Sequence, residues 1–444
     1  MGSVKILQTG AFQLEAGQAG GAQSPGWGES GSEEVLGAND GFPWISFGRG
    51  NSVNHTQDQS ITSQAFKDVP RLTGINVEQP LDAYMRFDGL GDFLYWMWGF
   101  ENSIVSVGVF VVDTPTIEPV AGAVYQDTDT NEYTFLRKET SSGTDYWVFR
   151  VDDSVVPTLQ TGDLTRQSGT GDDTLTMSAH SVVMYEHLYE LDSYSRHFVD
   201  YLTAEQITGW SSGDKKNRMA TIGLKMSTQD FRYKNAMCKK FGFKSSSGNF
   251  WELATEFLAY AEERGDFSSS SWTTKTQRQS SDNIIAHHQT AVEVGASEST
   301  LVELGVTDFS VDVGIPLQVK QDTVSGLYMA EPIFEGKYDI SAPITLCRYS
   351  ADTYQDYRDA WTTMVGRISA TYGYYMSEIL LEEGKLTTAG PDDGDVAQEL
   401  LTYVPGDPQS NNWSSWLYGN TLIQNGPVLM RVRNLDSQNS MFLI

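Results

Sequence analysis

One pattern constrains this chain more than any other, and it occurs twice. Residues 66–81 form an alternating apolar and polar run that carries Pro80. Residues 82–94 follow with aromatic and acidic side chains at helical spacing. Residues 333–347 form a second alternating run, this time carrying Pro343, and residues 348–361 again bring aromatic and acidic side chains at helical spacing. A further block follows each copy. Residues 235–260 and 379–403 both read as a strand, a polar Gly-containing turn and a second strand ending in a tyrosine, Tyr260 and Tyr403. Period-two alternation places successive side chains on opposite faces of a sheet, so these runs specify strands with one buried face. Their recurrence in the same order predicts a tandem duplication of a β-sandwich unit.

A chain of 444 residues exceeds what one hydrophobic core organises, so two or three domains are expected. The predicted fold class is mainly β: two tandem β-sandwich domains with short flanking helices and a β-hairpin-rich insertion. Residues 1–40, rich in Gly, Ala, Ser and Glu, read as an N-terminal arm that orders only against a partner. The first sandwich is expected over 41–270 with the insertion at 104–182, then a linker over 271–297, and the second sandwich over 298–444.

Within this frame, residues 89–99 predict a short buried helix punctuated by glycine. The insertion shows a hairpin whose strands flank the polar turn 127–132, and another strand at 146–151. Residues 161–173 read as Gly-rich turn, and 185–206 as a loop or short helix. Trp251, Leu253, Phe257 and Ala259 share one strand face, with Glu252 and Glu256 on the other. Phe309, Val311 and Val313 alternate with polar residues, as do Tyr338, Ile340, Ala342, Ile344 and Leu346. Pro343 puts that last strand at a sheet edge or on a non-bonded site. Residues 426–434 form a closing strand.

The formal net charge is -28, from 30 basic and 58 acidic side chains. Such a surface repels nucleic-acid phosphates and keeps a free subunit dissolved, and adaptation to high salt gives the same acidity. One segment opposes the trend. From position 215 to 244, Lys215, Lys216, Arg218, Lys225, Arg232, Lys234, Lys239, Lys240 and Lys244 face only Asp230. Those cations are expected to meet acidic groups on a neighbouring copy, ring or insertion. A mean hydropathy of -0.34 and the absence of a long apolar run argue against an integral membrane protein. The first residues lack a continuous apolar stretch, so a cytosolic origin is expected. Cys238 and Cys347 are the only cysteines and read as buried small hydrophobes rather than a disulfide.

Chemical motifs are sparse. Asp127, Asp129 and Asn131 resemble the opening of a calcium loop, but Glu132 stands at the glycine position and Lys138 at that of the bidentate glutamate. A hairpin turn is the better reading. His55, His180, His187, His197, His287 and His288 show no zinc spacing. No serine-nucleophile elbow or phosphate-cradling glycine loop is present. The adjacent acids Glu262-Glu263, Asp172-Asp173 and Glu382-Glu383 would point to opposite faces of a strand, which is the wrong geometry for a glycosidase couple. No catalytic residue, cofactor site or metal site is expected.

Three blocks resemble the tail tube proteins of long-tailed bacterial and archaeal viruses. They are the strand–glycine–strand block from Arg218 to Tyr260, the pair 305–317 and 335–346, and the final Gly426-Pro427 strand. The insertion and the arm depart from the simplest family members. The resemblance implies two tandem tail-tube-like β-sandwiches, and a non-enzymatic virion protein that forms homotrimeric, pseudo-hexameric rings. These rings would stack into a tube through which viral DNA passes without tight binding. Its partners would be further copies of itself and the tape measure, terminator and baseplate proteins, with no membrane insertion. Assembly would take place in the host cytoplasm, and the finished protein would sit in the virion tail. The alternatives are another tail component on the same fold, a baseplate hub or tail-completion protein, and a carbohydrate-binding module.

Overall fold

The structure, a computed structural model, describes residues 9–15, 27, 36–37, 39–47, 52–56, 71–98, 100–110, 119–120, 122–127, 131–141, 144–151, 162–167, 174–177, 182–192, 219–226, 229–265, 272, 283–297, 300–319, 326–330, 332–334, 338–347, 356, 358–360, 362–392, 395–405, 415–418 and 421–434. Strands β1 (Thr9–Leu14), β2 (Asn39–Phe42), β3 (Trp44–Phe47), β4 (Ser52–Thr56) and β5 (Arg71–Tyr84) lead to the helix α1 (Gly91–Trp98). The middle of the chain holds β6 (Phe100–Phe110), β7 (Val124–Gln126), β8 (Glu132–Ser141), β9 (Thr144–Val151), β10 (Gly162–Arg166), β11 (Thr174–Met177) and β12 (Val182–Asp192). Next come β13 (Ala220–Lys225), β14 (Asp230–Ser246), β15 (Glu252–Ala259), β16 (Ala261–Gly265), β17 (Thr290–Gly295), β18 (Val302–Leu304) and β19 (Val306–Gly314). The rest are β20 (Leu317–Gln318), β21 (Ile333–Phe334), β22 (Asp339–Leu346), β23 (Met364–Tyr372), β24 (Tyr375–Asp392), β25 (Asp395–Pro405), β26 (Ser415–Tyr418) and β27 (Thr421–Asn434).

The fold is therefore mainly β and sandwich-like. All but the separate pair β20–β21 join one network of antiparallel ladders. Alternation does what the sequence requires. Along β22 the buried residues are Ile340, Ala342, Ile344 and Leu346, and along β15 they include Leu253, Thr255 and Phe257. The main core runs from Phe12 to Val432 and draws on both halves of the chain. Only eight residues long, α1 is held by burial more than by intrinsic propensity. Its Phe93 and Trp96 pack on Phe12, Trp98 packs on Phe241, and the Trp96 indole donates to the Ala236 carbonyl at 2.8 Å.

The pairing order occurs twice. In the first half, the Pro80 strand β5 precedes α1, β13 and β14 pair in sequence, and β15 turns back from β14 to lie against β5. In the second half, the Pro343 strand β22 precedes a helical turn closed by the Ala360 amide on the Asp356 carbonyl. Then β23 and β24 pair in sequence, and β25 turns back from β24 to lie against β22. Outside these meanders, β13 pairs with β1 as β23 pairs with β17. The two orders differ in what lies inside them. Between α1 and β13 lie the β6–β12 strands, and ten of the residues from Phe110 to Leu175 form a core of their own.

Several segments differ from their sequence reading. Part of the arm is a core strand: β1 pairs with β13 and β2, and Ala11 and Phe12 are buried. Gly10 allows this, because a Cβ there would fall 1.7 Å from the Trp44 indole nitrogen. Within the Gly-rich 161–173, residues 162–166 are a strand, and within 185–206 the residues up to 192 belong to β12. The end of the 271–297 segment is the sheet strand β17. Pro343 is not at an edge, since β22 lies between β19 and β25. The β19 ladder instead lapses between its Phe309↔Ile344 and Asp312↔Ser341 pairs, where proline has no N–H to offer. Of the cysteines, Cys238 is buried, but Cys347, just past the end of β22, is exposed.

Candidate functional site

Three polar constellations stand out, and the first is the basic strand β14. Arg232 and Lys234 both reach Glu263 on β16, at 2.5 Å each. Lys239 bridges Glu78 on β5 and Glu256 on β15, and Lys244 lies 2.9 Å from Glu252 on β15. These cations are thus neutralised by adjacent strands of the same chain, not by a neighbouring copy, ring or insertion. Cross-strand register explains this: Arg232 lies opposite Glu263, and Lys244 opposite Glu252. Lys225 lies over the Trp272 ring at 4.9 Å, and Lys240 is exposed. Lys215, Lys216 and Arg218 lie outside the described residues. Around Lys239 the two carboxylates shift in opposite directions. The hydrogen bond between them lowers Glu78 and raises Glu256, and Lys239 is raised because its two acids outweigh its burial.

The second constellation ties the insertion to the closing strand. Arg433 on β27 is 1% exposed and reaches Glu139 on β8 at 2.6 Å and Glu186 on β12 at 3.4 Å. Arg137 completes the square, at 2.7 Å from Glu139 and 2.5 Å from Glu186. The Arg433 Nε also donates to the Tyr374 carbonyl at 2.8 Å. Burial works against the Glu139 carboxylate, but Arg433 and Arg137 outweigh it and hold the group below its ordinary value. From the same strand the row continues across the sheet: Arg431 meets Glu378 at 2.7 Å, and Arg367 meets Glu293 at 2.5 Å. In Glu378, burial prevails over Arg431 and Arg367 and raises the carboxyl.

A cleft of about 340 Å³ forms the third, where the β14–β15 turn faces β19 and β22. It opens beside the lapse at Pro343. The Phe250 ring is 44% exposed at its rim, and the Tyr84 ring braces it edge-on at 5.5 Å. A β-bridge from Phe250 to Ala286 pins the backbone beneath. Asn249 is fixed as well: its amide group donates to Ser246 Oγ at 2.6 Å, and its carbonyl accepts from the His287 N–H at 2.9 Å. The Lys244–Glu252 ion pair, on the same hairpin, and the exposed Asp308 of β19 also line it.

The other sequence candidates fall in structural roles. Asp127 accepts from the Asn131 backbone N–H, the Asn131 side chain and the Tyr133 hydroxyl, each at 2.9 Å, so its carboxylate closes the β7–β8 hairpin. Asp129 lies outside the described residues. His187 is fully buried and stacks on Tyr189. His287 Nε2 lies 3.2 Å from the Val306 carbonyl, which only accepts, so that nitrogen carries the hydrogen and Nδ1 faces Ser245 Oγ at 3.1 Å. His288 is exposed, His55 lies in β4, and His180 and His197 lie outside the described residues. Glu262 and Glu263 divide between partners as strand geometry demands, with Tyr233 and Arg264 on Glu262 and Arg232 and Lys234 on Glu263. Asp172 and Asp173 lie outside the described residues, and Glu382 and Glu383 fall on β24.

Among the described residues, no group of three or more His, Cys, Asp or Glu side chains is placed to hold a metal ion. Nor is any helix there long and apolar enough to cross a membrane. Compared with known proteins, the chain matches no family model, and no curated protein matches it in sequence.

Proposed function

We propose that this chain is a structural subunit whose copies close into rings and stack into a tube, a viral tail tube protein of the tandem type. The observation that carries the proposal is the repeated pairing order. Two meanders of the same connectivity, each returning onto a proline-bearing strand that precedes a helical segment, occupy one chain. A subunit with two like units fills two places in a ring, so three subunits give pseudo-sixfold closure through head-to-tail contacts. Paired edges in such a ring remove the free strands that make isolated sheets aggregate. The net charge of -28 fits a conduit for DNA, because an acidic wall offers phosphates no counterion release and lets the duplex slide. In this reading the insertion, with its own core, decorates the ring without disturbing the meanders.

The test is electron microscopy of the purified protein with mass measurement in parallel. Trimeric rings that stack into tubes are the expected result. Protein that stays monomeric at every concentration and salt, with no ring in the images, would overturn the proposal. Closed rings that never stack would favour another tail component on the same fold.

A further inference from the structure

Beyond assembly, we propose that the cleft between the β14–β15 turn and strands β19 and β22 binds a short neutral saccharide, with the Phe250 ring as its stacking platform. The first ground is preorganisation. Exposed aromatic side chains on surface turns are normally free to move, but Phe250 is anchored by its bridge to Ala286 and braced by Tyr84. Gly248, at φ +84, and the Asn249–Ser246 hydrogen bonds set the turn that presents it. A ligand meeting this ring loses little affinity to ordering the protein.

The second ground is chemistry. A sugar has an apolar face of C–H groups and a rim of hydroxyls that both donate and accept. Phe250 meets the former. For the latter the cleft offers the side-chain carbonyl and second amide hydrogen of Asn249, the Thr345 hydroxyl, the Ser310 oxygen as an acceptor (its hydrogen goes to Asp312 at 3.0 Å), and the carboxylate of Asp308 as a strong acceptor. Lys244 is already neutralised by Glu252, so a neutral ligand can lie against the pair without separating it. An anion would face Glu252 and Asp308, while a cation would compete with Lys244 for the same acids. The volume lies at the lower end of the roughly 300–1,000 Å³ of small-molecule sites, which suits one or two sugar rings.

The full chain is tested on an array of neutral hexose oligosaccharides, and the retained sugars are titrated by calorimetry. Phe250→Ala should weaken binding about tenfold and Phe250→Trp should preserve it, because the larger ring keeps the stacking surface. Asp308→Asn should weaken it less, with the thermal midpoint of every variant unchanged. Oligolysine peptide and inorganic phosphate serve as parallel probes. The proposal is overturned if no neutral saccharide binds at millimolar concentration, if Phe250→Ala binds as well as the parent, or if either charged probe binds in preference. Because the readout is sugar binding in solution, it stands or falls independently of ring formation.

Discussion

Glu15 is 2% exposed, and three hydrogen bonds make that burial tolerable. It accepts from the Thr221 hydroxyl at 3.0 Å, from the Asn235 N–H at 2.8 Å and from the Asn235 side chain at 2.7 Å. Asn235 needs this help, because its φ of +50 is in the left-handed region that asparagine tolerates better than most residues. Asn235→Ala should cost about 1–2 kcal/mol more than Asn235→Gly, measured by urea denaturation, since alanine keeps the backbone strain that glycine relieves. Equal losses would locate the effect in the side-chain amide alone. Arg433 presents a larger stake. Replacing it with methionine leaves Glu139 and Glu186 to Arg137 alone, and should destabilise by about 3–5 kcal/mol, the range for breaking a buried ion pair. The pH dependence follows from Glu139. Its folded value is depressed, so the stability it contributes is complete above the unfolded value of about 4.3 and is lost as pH falls through the lower folded value. Below about pH 4.3 the parent should therefore lose stability more steeply than Glu139→Gln, and parallel acid curves would contradict the assignment.

At the scale of elements, the insertion is the unit most distinct from the rest. Phe149 sits at its centre, in ring contact with Phe110, Tyr125 and Phe135. Phe149→Ala should cost about 3–5 kcal/mol locally, and amide exchange should speed up in β7–β11 while β14 and β15 remain protected. Uniform acceleration would mean the insertion unfolds only with the whole. Sequence made some elements plain and hid others for physical reasons. The hairpins 235–260 and 379–403, the helix at 91–98 and β22 were legible from local pattern: β15 and β22 alternate buried side chains with less buried ones, and the helix is a short apolar run buried on nearly every side. β12 was hidden. Its Glu186 and His187 are buried like core residues, yet Glu186 is made tolerable by Arg433, nearly 250 positions away, and no local pattern records such a partner. β1 was hidden because its glycine, a mark of flexibility in isolation, answers the indole of Trp44. The cleft was illegible for the same reason. Lys244, Phe250, Asp308 and Thr345 come from separate strands and turns, and only Pro343 signalled in advance that a ladder would lapse there.

For the whole molecule, charge dominates. Subunits of -28 repel one another at low ionic strength, where the screening length is about 30 Å at 0.01 M, and much less at 0.1 M, where it is about 10 Å. Because the paired cations of β14 are spent on strands of their own chain, they do little to offset that repulsion between copies. If the subunits assemble as proposed, added salt should promote association, and sedimentation velocity should show larger species as sodium chloride rises. Assembly that dissolves on adding salt would instead indicate ion pairs across the seam.

The pairing of β12 with both β6 and β27 carries a consequence for synthesis. A ribosome makes β12 soon after β6, but its other neighbour is translated more than 200 residues later. At about 5–20 residues per second, that flank of the nascent sheet stays open for roughly 10–40 s. During this interval the side chains of Glu139 and Glu186 have Arg137 but not Arg433. The surplus negative charge on the waiting edge repels the same edge on other nascent chains from the same message, and holds the place for the strand that brings the missing arginine.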